Sequence, residues 1–395
     1  MRNRIAPALA YWGIVLAAVG WFGRAPELNW DGIAYVALSL ERETDPREAH
    51  RQSYRHLMAI APDARYEELT ASSPYRVAMA VLPDAFAENL RFYRMRYGYV
   101  GLLSGGHRLT GLNPYRVSVI VGAIAYLLLA GAAWAWAGQV WARAHPEEAG
   151  WRRLFALPLL LHPGAVQAIA LTTPDLLVAA LLAWGAYHEV VRRDRAAAAL
   201  FFLLAVLCRP DAIVFACLFL AAPFSLAALA WWRGERVERR ELLLPVGIAL
   251  GLAAVGVGLL HLADAHGWRT VFAHTFLEHA VHPGAEEPSV RAYLKVVGTA
   301  ILFLGSGLPT RILFCVAVGA GVFLFLRRGV SARSRAFAAA VLVAWCAFFF
   351  LFPLPLERFY LAHVVVIGSL AVQGWVEARA HATEKRAALG LGVAK

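Results

Sequence analysis

Long apolar runs, separated by short polar loops, follow one another along almost the whole chain. A helix needs about 20 apolar residues to cross the hydrocarbon core of a membrane, and most of the runs come close to that length. The runs cover residues 6–22, 116–139, 153–171, 174–191, 196–208, 211–232, 242–263, 309–327, 334–353 and 357–376. The pattern predicts an all-α fold, a polytopic bundle of about ten transmembrane helices that forms one membrane domain over residues 1–395.

Residues 296–308 are apolar as well, but Gly305-Ser306-Gly307 and Pro309 interrupt them. Such a segment is typical of a helix that lies on the membrane surface, and it would make an eleventh span if it crossed. We therefore expect a second large loop over residues 264–308 that carries an interfacial helix.

Arginines in the short loops predict how the chain is oriented. With ten spans, the basic short loops and both termini fall on one side, which the positive-inside rule makes the cytoplasm. The long segment 23–115 then lies on the extracytoplasmic side, because loops beyond about 60 residues cross largely regardless of charge. We expect amphipathic helices within it. The basic residues of the cytoplasmic side include Arg2, Arg4, Arg143, Arg152, Arg153, Arg192, Arg193, Arg195, Arg233, Arg236, Arg239, Arg240, Arg327, Arg328, Arg333 and Arg335.

Composition narrows the class of protein further. Hydrophobic residues make up 60% of the chain and charged residues 16%, whereas soluble domains average about 45–50% and about 25%. The net charge of +11 does not indicate nucleic-acid binding, since the basic residues cluster in the short loops. The Ala- and Arg-rich composition indicates a bacterial inner (plasma) membrane.

The sequence predicts no cofactor and no bound metal. Its 4 cysteines lie within apolar runs without a Cys-x-x-Cys spacing, so we interpret them as small core residues. If the second large loop were helical around its histidines, His274, Glu278 and His282 would share one face. Weak metal binding there is an alternative to a polar interfacial loop.

The first candidate for chemistry stands directly after the first span. Asn29-Trp30-Asp31-Gly32 and Tyr35 place a carboxylate between aromatic rings at the border of water and lipid headgroups. A lipid-linked substrate would present its polar end at that border. Alternatively, Trp30 and Tyr35 belong to the aromatic belt of the membrane interface, and Asp31 caps a helix.

Three further ionisable residues are predicted at span ends on the same side. Asp175 begins one apolar run, Arg209 separates two others, and Arg358 lies at the start of the last. An ionisable residue at the edge of a span is a functional candidate. The alternatives are that Asp175 belongs to an ordinary helix start after a proline, and that the two arginines extend toward lipid headgroups.

Aromatic and basic residues alternate just before the second span, in Phe92-Tyr93-Arg94-Met95-Arg96-Tyr97. The alternation favours a strip that faces anionic headgroups. Tyr93, Arg94 and Arg96 are therefore predicted substrate or interface contacts, together with Trp30 and Tyr35. An interfacial anchor without chemistry is the alternative.

In its overall plan and in local motifs, the chain resembles the GT-C superfamily of polyprenyl-phosphate-dependent membrane glycosyltransferases. The plan is a short first span, an acidic motif at the start of a large outer loop, and then a bundle of spans. The first loop departs from the family pattern because it lacks a tight Asp-x-Asp or Asp-Glu pair. The local motifs are Asn29-Trp30-Asp31-Gly32 with Tyr35, Thr172-Thr173-Pro174-Asp175 through Gly185, Leu207-Cys208-Arg209-Pro210-Asp211 and Leu356-Glu357-Arg358-Phe359-Tyr360.

The resemblance implies that Asp31 is the catalytic base, which takes the proton of an acceptor hydroxyl. Asp175 is then a second acid/base group or positions the acceptor. The donor would be a polyprenyl-phosphate-linked sugar, and the acceptor a glycan, a lipid or a surface polymer. The departing polyprenyl phosphate is an anion that needs only cations, and Arg209 and Arg358 are the predicted phosphate ligands. One base and a charged leaving group imply inversion at the anomeric carbon.

A transporter or lipid flippase is the main alternative from another class of protein. Such a protein is expected to carry internal repeats and charged residues deep within the bundle. The ionisable residues of this chain lie instead at predicted span ends. A lipid-glycan ligase or polymerase and a purely structural membrane protein are further alternatives.

Overall fold

Helices make up most of the described part of the chain. The computed structural model describes residues 2–144, 146–284, 288–303 and 308–389, and no β-strand forms among them. The all-α prediction is confirmed for these residues. The helices are α1 (Arg2–Phe22), α2 (Trp30–Leu40), α3 (Pro46–Met58), α4 (Asp63–Ala71), α5 (Pro74–Val81), α6 (Pro83–Asn89), α7 (Tyr97–Thr110), α8 (Pro114–Ala144), α9 (Ala149–Arg152), α10 (Leu157–Leu160), α11 (Pro163–Gln167), α12 (Asp175–Tyr187), α13 (Arg195–Cys208), α14 (Ala212–Trp232), α15 (Arg239–Leu262), α16 (Trp268–Phe276), α17 (Val290–Phe303), α18 (Leu308–Leu326), α19 (Ala332–Leu351) and α20 (Leu361–Ala388).

Six helical segments among the described residues are long and apolar enough to cross a membrane, and they belong to α1, α8, α14, α15, α19 and α20. The chain is therefore a helical membrane protein. The predicted count of about ten spans is not confirmed. Helix α13 and the stretch Phe314–Leu326 of α18 are apolar but shorter than the length needed to span.

One predicted span is not a continuous helix. Residues 153–171 form a 3₁₀ turn followed by the short helices α10 and α11. Pro158 and Pro163 divide the segment, because proline has no N–H with which to continue the helical hydrogen bonds. The segment ends in an isolated bridge between Leu171 and Glu27, which ties it to the residues that follow α1.

The first predicted loop, residues 23–115, folds into the helices α2 to α7. Polar side chains start several of them. Asn29 accepts a hydrogen bond from the Gly32 N–H at 2.9 Å, and Asp45 and Ser73 cap α3 and α5 in the same way. Helix α3 is amphipathic. Its buried face consists of Ala49, His50, Ser53, Tyr54 and Leu57.

The second predicted loop, residues 264–308, contains α16 and α17. Helix α17 ends at Phe303, and the predicted interruption at Gly305-Ser306-Gly307 lies outside the described residues. The chain leaves α16 after Phe276, before it reaches Glu278. The alignment of histidines and Glu278 on one helical face is therefore wrong.

Helix α12 occupies the middle of the bundle and packs against α8, α13, α14 and α20. Every residue of α12 except Trp184 is buried. Gly185 allows α13 to approach closely, because a Cβ atom there would lie 2.5 Å from the Phe202 ring. The helix begins at Asp175, at the end of the bundle where the predicted site residues lie. At its other end it continues into a π-helical turn, His188–Arg192.

Candidate functional site

Ionisable side chains from four separate segments meet at one end of the bundle. Asp31 comes from α2 and Asp175 from α12. Arg209 and Asp211 come from the turn between α13 and α14, and Arg358 comes from the 3₁₀ helix before α20. We refer to these five residues as the ionic cluster. It brings together the predicted base, the second predicted carboxylate and both predicted phosphate ligands.

Arg358 links the two predicted carboxylates. Its Nη2 donates to Asp31 Oδ2 at 3.3 Å, and its Nε lies 3.4 Å from Asp175 Oδ2. Arg209 pairs with Asp175 through Nη1 and with Asp211 Oδ2 through Nη2 at 2.7 Å. Three carboxylates and two guanidinium groups therefore share one network, in which each buried charge faces an opposite one.

A proline and an aromatic ring hold the two arginines in place. Pro210 follows Arg209 directly, and Arg209 adopts an extended backbone conformation with φ −160° and ψ 104°, as expected for a residue before proline. The Phe359 ring centroid lies 4.6 Å from the guanidinium carbon of Arg209 and 5.1 Å from that of Arg358. Both cations stack on this ring, so extension toward lipid headgroups does not describe either arginine.

The two carboxylates differ in exposure. The side chain of Asp31 is 32% exposed and that of Asp175 is 4% exposed. Asn29 caps α2, so the interpretation of Asp31 as a helix cap is wrong. The Asp31 carboxylate forms hydrogen bonds with side chains from other segments instead. An incoming hydroxyl can reach Asp31, whereas Asp175 is closed off by its two arginines.

Tyr93 is the second partner of Asp31. Its hydroxyl donates a hydrogen bond to Asp31 Oδ1 at 3.0 Å. Burial raises the pKa of Tyr93 well above its ordinary value, so the hydroxyl stays protonated and keeps donating at physiological pH. Asp31 is thus held at both oxygens, by Tyr93 on one and by Arg358 on the other.

Arg96 lies beside the ionic cluster and forms no ion pair among the described residues. Its guanidinium carbon lies 5.3 Å from the Tyr35 ring centroid and 5.1 Å from that of Tyr93. Its Nη1 makes no hydrogen bond to the described residues. Two of the predicted interface tyrosines therefore hold a cation that has no carboxylate within ion-pair distance in the described part of the chain.

Arg94 and Trp30, which the sequence also predicts, contribute to the packing of the first loop. Arg94 pairs with Glu41 at 3.1 Å, at the end of α2 that lies about 15 Å from Asp31 along the helix. Trp30 packs against Tyr75, with the ring centroids 5.5 Å apart. Arg94 therefore stabilises α2 at its far end, and Trp30 connects α2 to α5.

A small cavity opens from the ionic cluster into the bundle. Its volume is about 30 Å³, enough for one or two water molecules. The cavity reaches about 10 Å below the cluster along α12. One wall follows a single face of this helix, at the spacing i, i+3, i+4 and i+7, and consists of Asp175, Val178, Ala179 and Leu182.

Reasoning from the sequence missed His363, which lines the same cavity. The side chain is buried, and neither ring nitrogen has a hydrogen-bond partner among the described residues. Phe215 packs edge-on against it, with centroids 5.1 Å apart. An imidazole donates from one nitrogen and accepts at the other, so His363 offers both groups to the cavity. The signal that could have found it is an ionisable residue near the start of an apolar helix.

The histidines of the second predicted loop pack as rings. His274 stacks on Phe92 with centroids 4.6 Å apart, and His279 lies 5.6 Å from Tyr75. Within the described ranges, no group of three or more His, Cys, Asp or Glu side chains has the geometry to hold a metal ion. Burial lowers the pKa of His274 to about 4, so this ring is neutral at physiological pH.

Comparisons of the chain with protein-family models, with curated proteins and with solved structures found no match. Function has to be inferred from the chemistry of the site itself. Among the described residues, the site combines an accessible carboxylate held by two donors, a neighbouring cation without an ion pair, and a buried cavity lined by an imidazole without a hydrogen-bond partner. These groups can accept a proton and bind an anion at the same place.

Proposed function

We propose that this protein is an integral-membrane glycosyltransferase, which transfers a sugar from a polyprenyl-phosphate donor to an acceptor hydroxyl with inversion. One observation carries the proposal. Arg358 contacts both Asp31 and Asp175, so a candidate base and a candidate phosphate ligand lie side by side. The cluster also lies where two apolar helices of spanning length, α14 and α20, begin. At such a border a lipid-linked donor can keep its sugar in water and its tail in hydrocarbon.

Asp31 is the proposed base. An acceptor hydroxyl has to lose its proton as it attacks the anomeric carbon, and a carboxylate within hydrogen-bond reach accepts that proton. Asp31 is the more exposed of the two carboxylates, and Tyr93 and Arg358 orient its oxygens. The new bond joins the acceptor oxygen to the anomeric carbon. The bond between that carbon and the phosphate oxygen breaks, and polyprenyl phosphate leaves with the electron pair.

Arg96 and Arg358 are the proposed contacts of the donor phosphate. Guanidinium groups bind phosphate oxygens through paired N–H donors. Arg209 is already paired with two carboxylates. Arg96 has no carboxylate within ion-pair distance among the residues that the structure describes, and Arg358 lies at the exposed side of the cluster next to Asp31. Arg209 acts mainly by holding the cluster together, and His363 can hold a water molecule in the cavity beneath it.

Asp175 is proposed as a positioning residue rather than as a second acid/base group. Its carboxylate is nearly inaccessible and contacts both Arg209 and Arg358. Through these contacts it sets the planes of the two guanidinium groups. An acceptor hydroxyl has no path to it unless the arginines move away.

A glycan, a lipid or a surface polymer is the proposed acceptor class, as the family resemblance implies. The proposed location is the extracytoplasmic side of a bacterial inner membrane, with both termini in the cytoplasm. The basic short loops favour this orientation.

The direct test incubates the purified full chain with a panel of radiolabelled polyprenyl-phosphate sugars and a membrane extract that contains acceptors. We expect at least one donor to release free polyprenyl phosphate while its label moves to an acceptor. The same labelled lipids are reconstituted with the protein in liposomes. Movement of intact lipid across the bilayer, with no release from any panel member, would contradict the proposal and favour a transporter or flippase.

A further inference from the structure

Gly32 lies in the first turn of α2, directly after Asp31. Glycine makes a helix less stable than alanine does, so a specific reason is expected for a glycine at this position. A Cβ atom on Gly32 would lie 2.9 Å from Thr172 Cβ and 3.1 Å from Thr172 Cγ2, closer than the 3.4 Å at which ordinary contact begins. Gly32 therefore lets α2 approach Thr172 more closely than a residue with a side chain would.

Thr172 belongs to the segment that leads to Asp175. Its side chain is fully buried, and the chain reaches the first residue of α12 three positions later. The contact between Gly32 and Thr172 therefore joins two stretches of backbone. One carries the proposed base, and the other carries the second carboxylate of the ionic cluster.

Further contacts fix the chain just before α2. The Glu27 backbone N–H donates to the Ala170 carbonyl at 2.9 Å, beside the isolated bridge to Leu171. Arg65 of α4 donates from Nε to the Leu28 carbonyl at 3.1 Å, and its Nη2 contacts the same oxygen. The start of α2 is thus tied to the segment that contains Thr172, and moving the two apart would strain these contacts.

The contacts of Asp31 depend on this close approach. Its Oδ2 accepts from Arg358 Nη2 at 3.3 Å, near the upper limit of hydrogen-bond distance. A methyl group at position 32 would have to move from 2.9 Å to at least 3.4 Å from Thr172 Cβ, a shift of about 0.5 Å. Because Arg358 reaches from Asp31 to Asp175, a wider gap between their two segments would break one of its contacts.

We infer that Gly32 and Thr172 are positioning residues, which set the distance between Asp31 and Asp175 so that Arg358 contacts both. The effect on transfer rests on the proposed function, in which Asp31 is the base. Neither residue supplies a reacting group, and each acts through Asp31. A change at their contact should therefore slow the transfer step without weakening the binding of the donor.

Four versions of the full chain in detergent test the inference, namely wild type, Gly32→Ala, Thr172→Gly and the double variant. Gly32→Ala should lower kcat for polyprenyl phosphate release about 10–100-fold and leave KM for the donor within about twofold. Thr172→Gly removes the atoms that the new methyl group would meet, so the double variant should be at least about fivefold faster than Gly32→Ala. A kcat of Gly32→Ala within about twofold of wild type, or no gain in the double variant, would overturn the inference.

Gly105→Ala is the matched control. Gly105 lies within α7 of the same loop, and a Cβ atom there would meet no atom of the described residues within 4 Å. Gly32→Ala keeps the backbone N–H that Asn29 accepts, so both variants add only a methyl group. We expect Gly105→Ala to match wild type in kcat and KM, with every rate expressed per folded molecule. An equal loss in both alanine variants would contradict a role for the contact with Thr172.

A second measurement needs no donor and tests the geometry separately from the proposed function. Denaturant unfolding of Asp31→Asn, Arg358→Gln and their combination gives the coupling between the two side chains. This coupling should change the unfolding equilibrium constant about fivefold in the wild-type background and less than about twofold in the Gly32→Ala background. Equal coupling in both backgrounds would contradict the inference. The expected coupling in a wild-type chain that releases no polyprenyl phosphate would reject the glycosyltransferase proposal and support the positioning role.

Discussion

Asp175 and Glu189 stand at the two ends of the same helix and look alike at first sight. Each side chain is almost fully buried, and each is faced by two arginines. At Asp175, Arg209 is in direct contact and Arg358 lies at 3.4 Å. At Glu189, the nearest guanidinium nitrogens lie 3.7 and 3.8 Å away. One carboxylate is in close contact with an arginine, and the other is faced by its two arginines from a greater distance.

An acid between two arginines can therefore be held tightly or loosely. Where the pairing is tight, as at Asp175, the charges fix one another and position the side chains around them. Where it is loose, as at Glu189, the arginines neutralise the buried charge from a greater distance. The burial of an ionisable residue does not by itself tell these arrangements apart, whereas the distances to its partners do.

The largest expected effect is on protein stability, which substitutions at Asp175 and Glu189 should change by different amounts. Asp175→Asn leaves Arg209 and Arg358 without their shared counterion, and we expect the free energy of unfolding in detergent to fall by about 3–5 kcal/mol. Glu189→Gln breaks no side-chain hydrogen bond, and we expect a loss of under about 1 kcal/mol. Denaturant unfolding, followed by tryptophan fluorescence, measures both.

Asp84→Asn provides the matched control for the stability experiment. Asp84 pairs with Arg47 at 3.3 Å, but both side chains are highly exposed, so no measurable change is expected. If Asp175→Asn and Glu189→Gln destabilised the protein equally, the distinction between the two ends of α12 would be lost.

A second prediction compares a paired with an unpaired arginine. Arg96→Gln should lower kcat/KM at least about tenfold, mainly through a higher KM for the donor, because it removes a cation available to phosphate. Arg94→Gln, two positions earlier, removes only the partner of Glu41 and should leave kcat/KM within about twofold. Steady-state kinetics with the active donor measures both variants. Equal losses would show that Arg96 has no special role.

The third prediction concerns His363, which is buried and has no hydrogen-bond partner among the described residues. His363→Phe should reduce transfer about tenfold, because the cavity beneath the ionic cluster loses a polar group that can hold a water molecule there. Thermal stability should stay the same or rise, since two buried nitrogens without partners are removed. Thermal unfolding and donor turnover are measured on the same preparation. Reduced stability with full activity would assign His363 to packing alone.

The smallest expected effect is on the pH dependence of stability, and it concerns His274 in the second predicted loop. The pKa of His274 is about 4 in the folded protein because of burial, below the value of about 6.5 for an unfolded histidine. Between these values the unfolded chain binds more protons, so stability should fall as pH drops from 6.5 to 4 and level off below. His274→Phe should remove a part of this slope worth about 1 kcal/mol, given screening by solvent. Unfolding at several pH values, with the exposed His381→Phe as control, measures it, and identical slopes in wild type and His274→Phe would refute it.

The sequence predicted which residues belong to the candidate site better than it predicted the contacts between those residues. Asp31 follows the first apolar run, and Asp175, Arg209 and Arg358 each fall at an end of a later run. With the predicted ten spans these positions would lie on one side of the membrane, where contact among them is possible. The pairing itself could not be predicted, since it depends on which side chains face each other across helices distant in sequence.

Other features depend on packing that a linear pattern does not contain. The alternation in residues 92–97 gives Arg94 and Arg96 the same appearance, and only the fold shows that Glu41 neutralises Arg94. Residues 153–171 are apolar enough to suggest a span. Pro158 and Pro163 are the local signal that a helix breaks in this segment. The prediction of a span here depends on hydrophobicity alone and does not take the two prolines into account.

The central claim is that Asp31 takes the proton of the acceptor hydroxyl. The most direct measurement is the rate of polyprenyl phosphate release by Asp31→Asn relative to wild type, with Glu27→Gln from the same segment as the exposed control. We expect Asp31→Asn to be about 10²–10⁴-fold slower with unchanged donor binding, and Glu27→Gln to match wild type. A rate for Asp31→Asn within about twofold of wild type would contradict the claim.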